Sequence, residues 1–500
     1  MRGRCEVSWG LRTSEASGSG QASREGVLIL GAGPAGLSAA YELGRHGRAA
    51  RVFEASPEVG GLARTVEHKG YLFDLGGHRF YTKAASIEAI WREVLGGDLL
   101  VRPRLSRIYF HQRFFRYPLE PLDALRGLGV AEAARCALSY LHALCFPQRP
   151  EDDFETYICN RFGRRLFERF FRSYTEKVWG LSCKEIRAEW AAQRIRGLSF
   201  SALLKDSFEF GGRQNRRSRL RTLTNEFLYP RRGPGMMWER MRQIIERQGS
   251  CIHLKAPVEK VLRTPERVTG IQALGKRFDA SHVISTLPVS TLCLTLDPPA
   301  PDAVLQAARS LRYRDFLIVA LIVRRRDVFP DTWIYIHEPG VRVGRIQNFK
   351  NWSPDMTPDP ETTCLGMEYF CNEGDELWRM PDADLVKFAS AECESLGIVP
   401  APLVIDGAVV RVPKAYPVYD SNYPQAMAEI RAFLSTLPNL HCAGRNGMHR
   451  YDNQDHAMLS GILAAGNVMG AAHDLWSVNT DGEYLEEVPA GEESAEPACC

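Results

Sequence analysis

The stretch VLILGAGPAG, residues 27–36, constrains this chain more than any other. Four apolar residues, Val27 to Leu30, run into a glycine-rich turn, and LSAAYEL follows. The pattern predicts a buried parallel strand, a tight turn and the start of a helix. Gly31, Gly33 and Gly36 spell G-x-G-x-x-G, with Pro34 and Ala35 among them. The first glycine permits the turn, the second lets the backbone approach a pyrophosphate, and the third lets the helix pack on the strand. The first N–H groups of that helix and its dipole then face the phosphates. RVFE, residues 51–54, is the expected second strand, and Glu54 stands where a carboxylate takes a ribose hydroxyl pair. A turn that merely joined a strand to a helix would not require that glutamate. Gly60, Gly61, Leu62 and Arg64 follow and complete the candidate dinucleotide contacts at this end.

The 500 residues, 45% hydrophobic, can bury a large core and suggest two or three domains. A net charge of +3 does not point to a nucleic-acid partner. Thirteen cysteines lack C-x-x-C spacing, and an odd count argues against a disulfide framework. A reducing, cytoplasmic setting is therefore expected. No run approaches the 18 apolar residues of a spanning helix. Residues 1–24 lack the apolar centre of a signal peptide and are expected to be a disordered lead. Residues 477–500 are expected to form an acidic disordered tail.

Between these ends the chain alternates. Residues 25–85 are expected to open the dinucleotide domain. Within them GYLFDLGGHRF, residues 70–80, runs from a strand into a glycine turn with His78 and Arg79 at its tip. Gly77 and His78 are candidate cofactor contacts, because glycines before charged residues suggest a backbone pressed against a ligand rather than an ordinary turn. Residues 86–245 read as a mainly helical substrate domain with one hairpin, RIYFHQRFFRYPL at 107–119. The apolar helix at 128–146 reads as core or as a membrane-surface helix, so peripheral membrane contact stays open. RQNRRSRLR at 213–221 carries five arginines in nine positions and reads as a solvated loop or a site for an acidic headgroup.

Residues 246–300 are expected to resume the dinucleotide domain, with Val258 a candidate cofactor contact. Residues 301–400, rich in aromatics, suggest a second sheet of the substrate domain. Residues 401–476 close the dinucleotide domain with a strand, LHCAGR, and a helix, HAMLSGILAAGNVMGAAH. That strand-to-helix junction offers a second place for an anion or an electron-rich ring edge, with Gly444, Asp455, His456, Ala457 and Met458 as candidates. The expected fold is α/β: a Rossmann-like domain interrupted by a helical and mixed-sheet substrate domain. No second G-x-G-x-x-G follows a strand, so one dinucleotide is implied. The chain shows no G-x-S-x-G, H-x-x-x-H or H-E-x-x-H, so neither a serine triad nor metal catalysis gains support.

GAGPAGLSAAYEL, RVFEA and VGGLART together resemble the flavin amine oxidase and protoporphyrinogen oxidase group of FAD flavoproteins, whose signature includes the Gly60-Gly61 pair. Four islands are similar to UDP-galactopyranose mutase: GGHRFYTK (76–83), YTEKVWG (174–180), AYPVYD (415–420) and GRNGMHRYDNQDHAM (444–458). The resemblance implies a GR2-type flavoprotein holding FAD without a covalent bond; Cys442 as a tether is the alternative to a small buried residue. It implies that Tyr174 and Trp179 line a uridine or sugar pocket, and that Tyr416, Arg445 and Tyr451 surround a diphosphate. It places Asp455 and the helix start at the flavin, and makes Arg194, displaced by one residue, a substrate contact.

The chain also departs from the mutases. It has His449 where they carry Tyr and Asn453 where they carry Asp. Their Pro-Tyr-Thr-Arg strand is not recognisable, with Arg312 and Arg314 only loose substitutes. YPRRGPGMMWERM, residues 229–241, is closer to the oxidases, whose comparable glycine turn approaches the flavin. Two reactions are therefore in play. One passes hydride from a small molecule to flavin N5, with His78, Arg79, Arg445 and Tyr451 near the reacting atoms. The other isomerises a sugar nucleotide on reduced FAD, with Arg194, Arg445, Tyr416 and Tyr451 clamping its diphosphate. The 229–241 segment and the missing strand arginine favour the first; a binding role without turnover ranks third.

Overall fold

The computed structural model describes residues 26–117, 129–188 and 226–479. Arg194, the 213–221 arginine run, residues 1–24 and residues 480–500 lie outside the described residues.

Strand Gly26–Leu30 lies at the centre of a parallel array. Ala50–Phe53 and then Cys251–His253 flank it on one side. The C-terminal half of Lys276–Ser285 and then Leu440–Cys442 flank it on the other. Val27 to Leu30 are at most 4% exposed, which is why an unbroken apolar run can sit here with both faces covered. The register pairs Leu30 with Phe53 and with Ser285, and Ser285 with Cys442. The C-terminal strand ends are thus level, and the turns after them gather at one edge, where parallel sheets bind ligands. The first half of Lys276–Ser285 turns antiparallel and pairs with Val268–Ala273, which pairs with Val258–Arg263.

One face of this sheet carries the helices Pro34–Arg45, Gly235–Arg247 and Gln454–Val468. The first and last meet at a glycine: a Cβ on Gly461 would stand 2.1 Å from the Ala35 carbonyl oxygen. Gly36 is equally constrained, since its Cβ would lie 2.0 Å from the Gly31 carbonyl oxygen. The other face is covered by Val289–Leu294, Asp302–Ser310 and Tyr423–Leu434.

The second sheet has seven strands, in the order Val404–Pro417, Tyr313–Val323, Thr363–Cys371, Arg345–Asn348, Trp333–Ile336, Ser106–Phe110 and Arg113–Arg116. The last two form the hairpin legible at 107–119, turning on His111 and Gln112 at φ of 49° and 57°. Its strands join the second sheet, not the helical layer. Beside them pack Val130–Cys145, Phe154–Phe162 and Arg172–Trp179. The core reading of the first of these helices holds for one face only. Ala133, Cys136 and Tyr140 are buried, but Leu138, Leu141 and Leu144 are 66%, 55% and 54% exposed. Among the described residues no helix is long and apolar enough to cross a membrane.

Candidate functional site

The phosphate end of the site is built from backbone. Gly31, at φ 102°, turns the chain out of the first strand, and Ala32 N–H donates to Glu54 Oε2 at 2.7 Å. Ser56 N–H donates to the other oxygen at 2.8 Å. Glu54 thus ties the second strand to the glycine turn, and each oxygen keeps a lone pair for a ribose hydroxyl. Gly60 N–H donates to the Ala32 carbonyl at 2.8 Å, and a Cβ on Gly61 would stand 3.1 Å from the Gly33 Cα. The two glycine turns therefore lie directly on each other. Gly33 caps the first helix without a side chain, which leaves the first helical N–H groups for a phosphate. Pro34 occupies the first helical turn, where its missing N–H costs nothing. Arg64 Nη1 donates to the Gly61 carbonyl at 3.4 Å, and Leu62 packs on the apolar cluster below. Val258 starts the antiparallel flank, two residues after Ala256, whose N–H donates to the Glu54 carbonyl at 2.8 Å.

The other end is built where Leu440–Cys442 delivers the chain to Gln454–Val468. Gly444 lies against the first helix, and its N–H donates to Ser460 Oγ at 2.9 Å. Gln454 Nε2 donates to the His78 carbonyl at 3.3 Å, which brings the Gly76–His78 turn to this helix start. Gln454 Oε1 is buried there without a hydrogen-bond partner among the described residues, and Asp455 Oδ1 and His456 Nδ1 face each other at 3.5 Å. Ala457 and Met458 are buried in the core, and the Met458 sulfur accepts from Trp91 Nε1 at 3.0 Å. Those two residues can serve a ligand through their backbone only. Cys442 is buried in its strand, and burial pushes its thiol up to about 12, unlike a reactive cysteine.

Between the two ends stands His78. Burial, with Arg445, Arg345 and Arg79 around it, pulls its imidazole down to about 3, so the ring is neutral at physiological pH. Its Nδ1 is buried without a protein partner. Arg79 lies over Phe227 and Trp333, its Cζ 4.8 and 5.5 Å from the ring centroids.

The remaining candidates form one cluster. Tyr416 and Tyr451 lie parallel, ring centroids 5.8 Å apart, and Arg445 sits over both at 5.6 and 4.7 Å. Arg445 is fixed there by donating to the Asp452 and Ala415 carbonyls at 2.9 and 3.1 Å. Trp179 meets Tyr416 edge-on at 6.3 Å. Tyr174 stacks on His337 at 4.4 Å and meets Tyr335 edge-on at 5.9 Å. Burial pushes the Tyr416 phenol up to about 12 and raises that of Tyr174, so both are neutral donors.

Sequence reasoning missed the arginine at the centre of this cluster. Arg345 heads the strand Arg345–Asn348 and faces Glu368, Tyr416, Tyr335 and Tyr174. Arg314 is not its substitute: its guanidinium donates to the Val178, Lys177 and Phe370 carbonyls and fastens the end of Arg172–Trp179. A signal for Arg345 existed at one remove. Glu368 is the one charged residue in TCLGMEYFC, a wholly buried strand, and a carboxylate there demands a cation.

A backbone cradle suited to phosphates, a helix start beside the Gly76–His78 turn, and a cluster of arginines and tyrosines define a class. The chain has the fold of a dinucleotide-binding flavoprotein with a second, seven-stranded sheet. The glycine surfaces that any Cβ would fill, and the buried atoms His78 Nδ1 and Gln454 Oε1, which have no hydrogen-bond partner among the described residues, fit FAD at its two ends.

The model of the flavin containing amine oxidoreductase family matches residues 34–469, and the chain belongs to that family. Its cofactor is FAD. The fold is similar to that of reduced UDP-galactopyranose mutase, with a TM-score of 0.78 at 20% identity over 92% of this chain and 99% of that one. It is also similar to a putative protoporphyrinogen oxidase from Exiguobacterium sp. 255-15, with a TM-score of 0.67 at 19% identity over 89% of this chain and 99% of the other. An L-amino acid oxidase of Crotalus durissus cumanensis is 51% identical over 57 residues, 11% of each chain. The match to such curated relatives therefore spans about a tenth of their length, and the two structural likenesses concern the fold.

Proposed function

We propose that the protein is an FAD-dependent isomerase of a sugar nucleotide, similar in its reaction to UDP-galactopyranose mutase. One observation carries this reading: Arg345 and Arg445 both act on the buried Tyr416, and the buried carboxylate Glu368 is committed to Arg345. Two arginines beside neutral phenols suit a diphosphate. The strand arginine not recognisable in the sequence weighed against this reaction, and Arg345 supplies it.

In this reading Arg345 and Arg445 hold the two phosphates, and Tyr416 and Tyr451 donate to their oxygens as neutral phenols. Tyr174 and Trp179 line the uridine or sugar side. His78, held neutral, places no positive charge of its own beside the reacting carbon. Reduced FAD, when bound, supplies the nucleophilic ring nitrogen. The start of Gln454–Val468 would offer its dipole to negative charge on the bound cofactor. Hydride transfer from a small molecule is the second reading. Membership of the amine oxidoreductase family supports it, as does the 229–241 turn, where Gly235 N–H donates to Thr65 Oγ1 at 3.0 Å.

The test is to incubate dithionite-reduced protein with UDP-galactopyranose or UDP-galactofuranose and resolve the products by chromatography. Interconversion supports the isomerase. No interconversion, together with bleaching of the oxidised flavin by an amine or amino acid, would replace it with hydride transfer.

A further inference from the structure

Trp238 is carried by the helix Gly235–Arg247 and has no exposed surface. Its Nε1–H is buried without an acceptor among the described residues. The neighbouring indole is different: Trp91, which meets Trp238 edge-on at 5.8 Å, gives its own Nε1–H to the Met458 sulfur. An unpaired buried N–H weakens a fold unless a partner outside the chain completes it. The surroundings indicate which partner. The indole Cδ1, bonded directly to Nε1, lies 3.1 Å from where a Cβ on Gly60 would stand. Gly60 is left-handed at φ 100°, donates to the Ala32 carbonyl, and leads into Gly61, which rests on Gly33. The orphan donor is therefore beside the turn that closes over the phosphate-binding glycines. Arg64 shares that turn, with its Nη1 donating to the Gly61 carbonyl at 3.4 Å and its Nε 4.0 Å from Glu58.

We propose that Trp238 Nε1–H donates a hydrogen bond to an anionic oxygen of the FAD diphosphate, making Trp238 a cofactor-binding residue. The assignment concerns the cofactor and is independent of which reaction the flavin performs.

Trp238→Phe keeps an aromatic ring and removes only the donor, and Trp91→Phe is its control, because that N–H already has a protein partner. The FAD dissociation constant is read from flavin fluorescence released on serial dilution of the holoenzyme. Bound diphosphate is read from 31P resonances with FAD in excess. Trp238→Phe should weaken FAD about tenfold, the loss expected for one hydrogen bond to a charged group. It should also shift a diphosphate resonance, whereas Trp91→Phe leaves both resonances in place. An FAD affinity within twofold of wild type overturns the assignment. So does a weakened affinity with unmoved 31P resonances, which would make the indole a packing element.

Discussion

Arg345 and Glu368 pair inside the protein, with Nε and Nη2 of the arginine each 2.6 Å from Glu368 Oε2. Glu368 is fully buried, and its other oxygen accepts from Gln347 Nε2 at 2.9 Å. Gln347 Oε1 in turn accepts from Trp352 Nε1 at 3.1 Å. Attraction at this geometry, with both carboxylate oxygens hydrogen-bonded, is what offsets the cost of burying two charges. Glu368→Ala should therefore cost about 3–5 kcal/mol, read from the urea midpoint of the holoenzyme, because it strands a buried guanidinium. Glu368→Gln should cost less. A midpoint unchanged by Glu368→Ala would mean that Arg345 finds other partners.

Arg445 lies over Tyr416 and Tyr451 and is anchored by the Asp452 carbonyl and by the Ala415 carbonyl of the second sheet. Arg445→Ala should raise KM for the sugar nucleotide more than about tenfold, a loss of roughly 1.4 kcal/mol or more. Flavin absorbance per protein should stay near wild type. Equal losses of both would assign Arg445 to the cofactor.

Gly461 sets how closely the first and last helices approach. A methyl group there would collide with the Ala35 carbonyl, backbone that cannot give way. Gly461→Ala should cost about 1–3 kcal/mol through overpacking. The cofactor should loosen too, since Gly444 and the start of the last helix move with it. Melting temperature and bound flavin are the measurements, and a variant equal to wild type in both would show that the helices slide freely.

Asp74 makes stability depend on pH. It is buried, and burial pushes its carboxyl up to about 7, although it accepts from Tyr229 and Thr65 hydroxyls. The unfolded carboxyl titrates near 4, so the native state keeps a proton the unfolded chain loses. The contribution of Asp74 to stability is therefore present below about pH 4 and declines as pH rises to about 7, by roughly 4 kcal/mol in all. Asp74→Asn, which cannot ionise and keeps one of the two acceptor oxygens, should flatten that decline. The check is a series of denaturant midpoints between pH 4 and 7, and parallel curves for the two proteins would refute it.

The cofactor's phosphate end was legible because its chemistry is local. Gly31, Gly33 and Gly36 lie within six residues, and Glu54 follows at a spacing set by one helix and one strand. Gly444 to Met458 could be read for the same reason: a strand end and a helix start adjoin in the chain. The arginine–tyrosine cluster was not legible to the same degree. Tyr174, Tyr335, Arg345, Glu368 and Tyr416 come from five separate segments, and Arg345 has no local pattern that distinguishes it from Arg314. One arginine faces the tyrosines and the other is consumed by carbonyls at a helix end, a difference made by strand register.

By itself, then, the chain determined a Rossmann-like FAD cradle, because backbone turns and helix starts are dictated by residues a few positions apart. Tertiary structure alone decided which arginine reaches the pocket, that Glu368 neutralises it, and that His78 is neutral. Those outcomes depend on burial and on charges that only long-range packing brings within a few ångströms of one another.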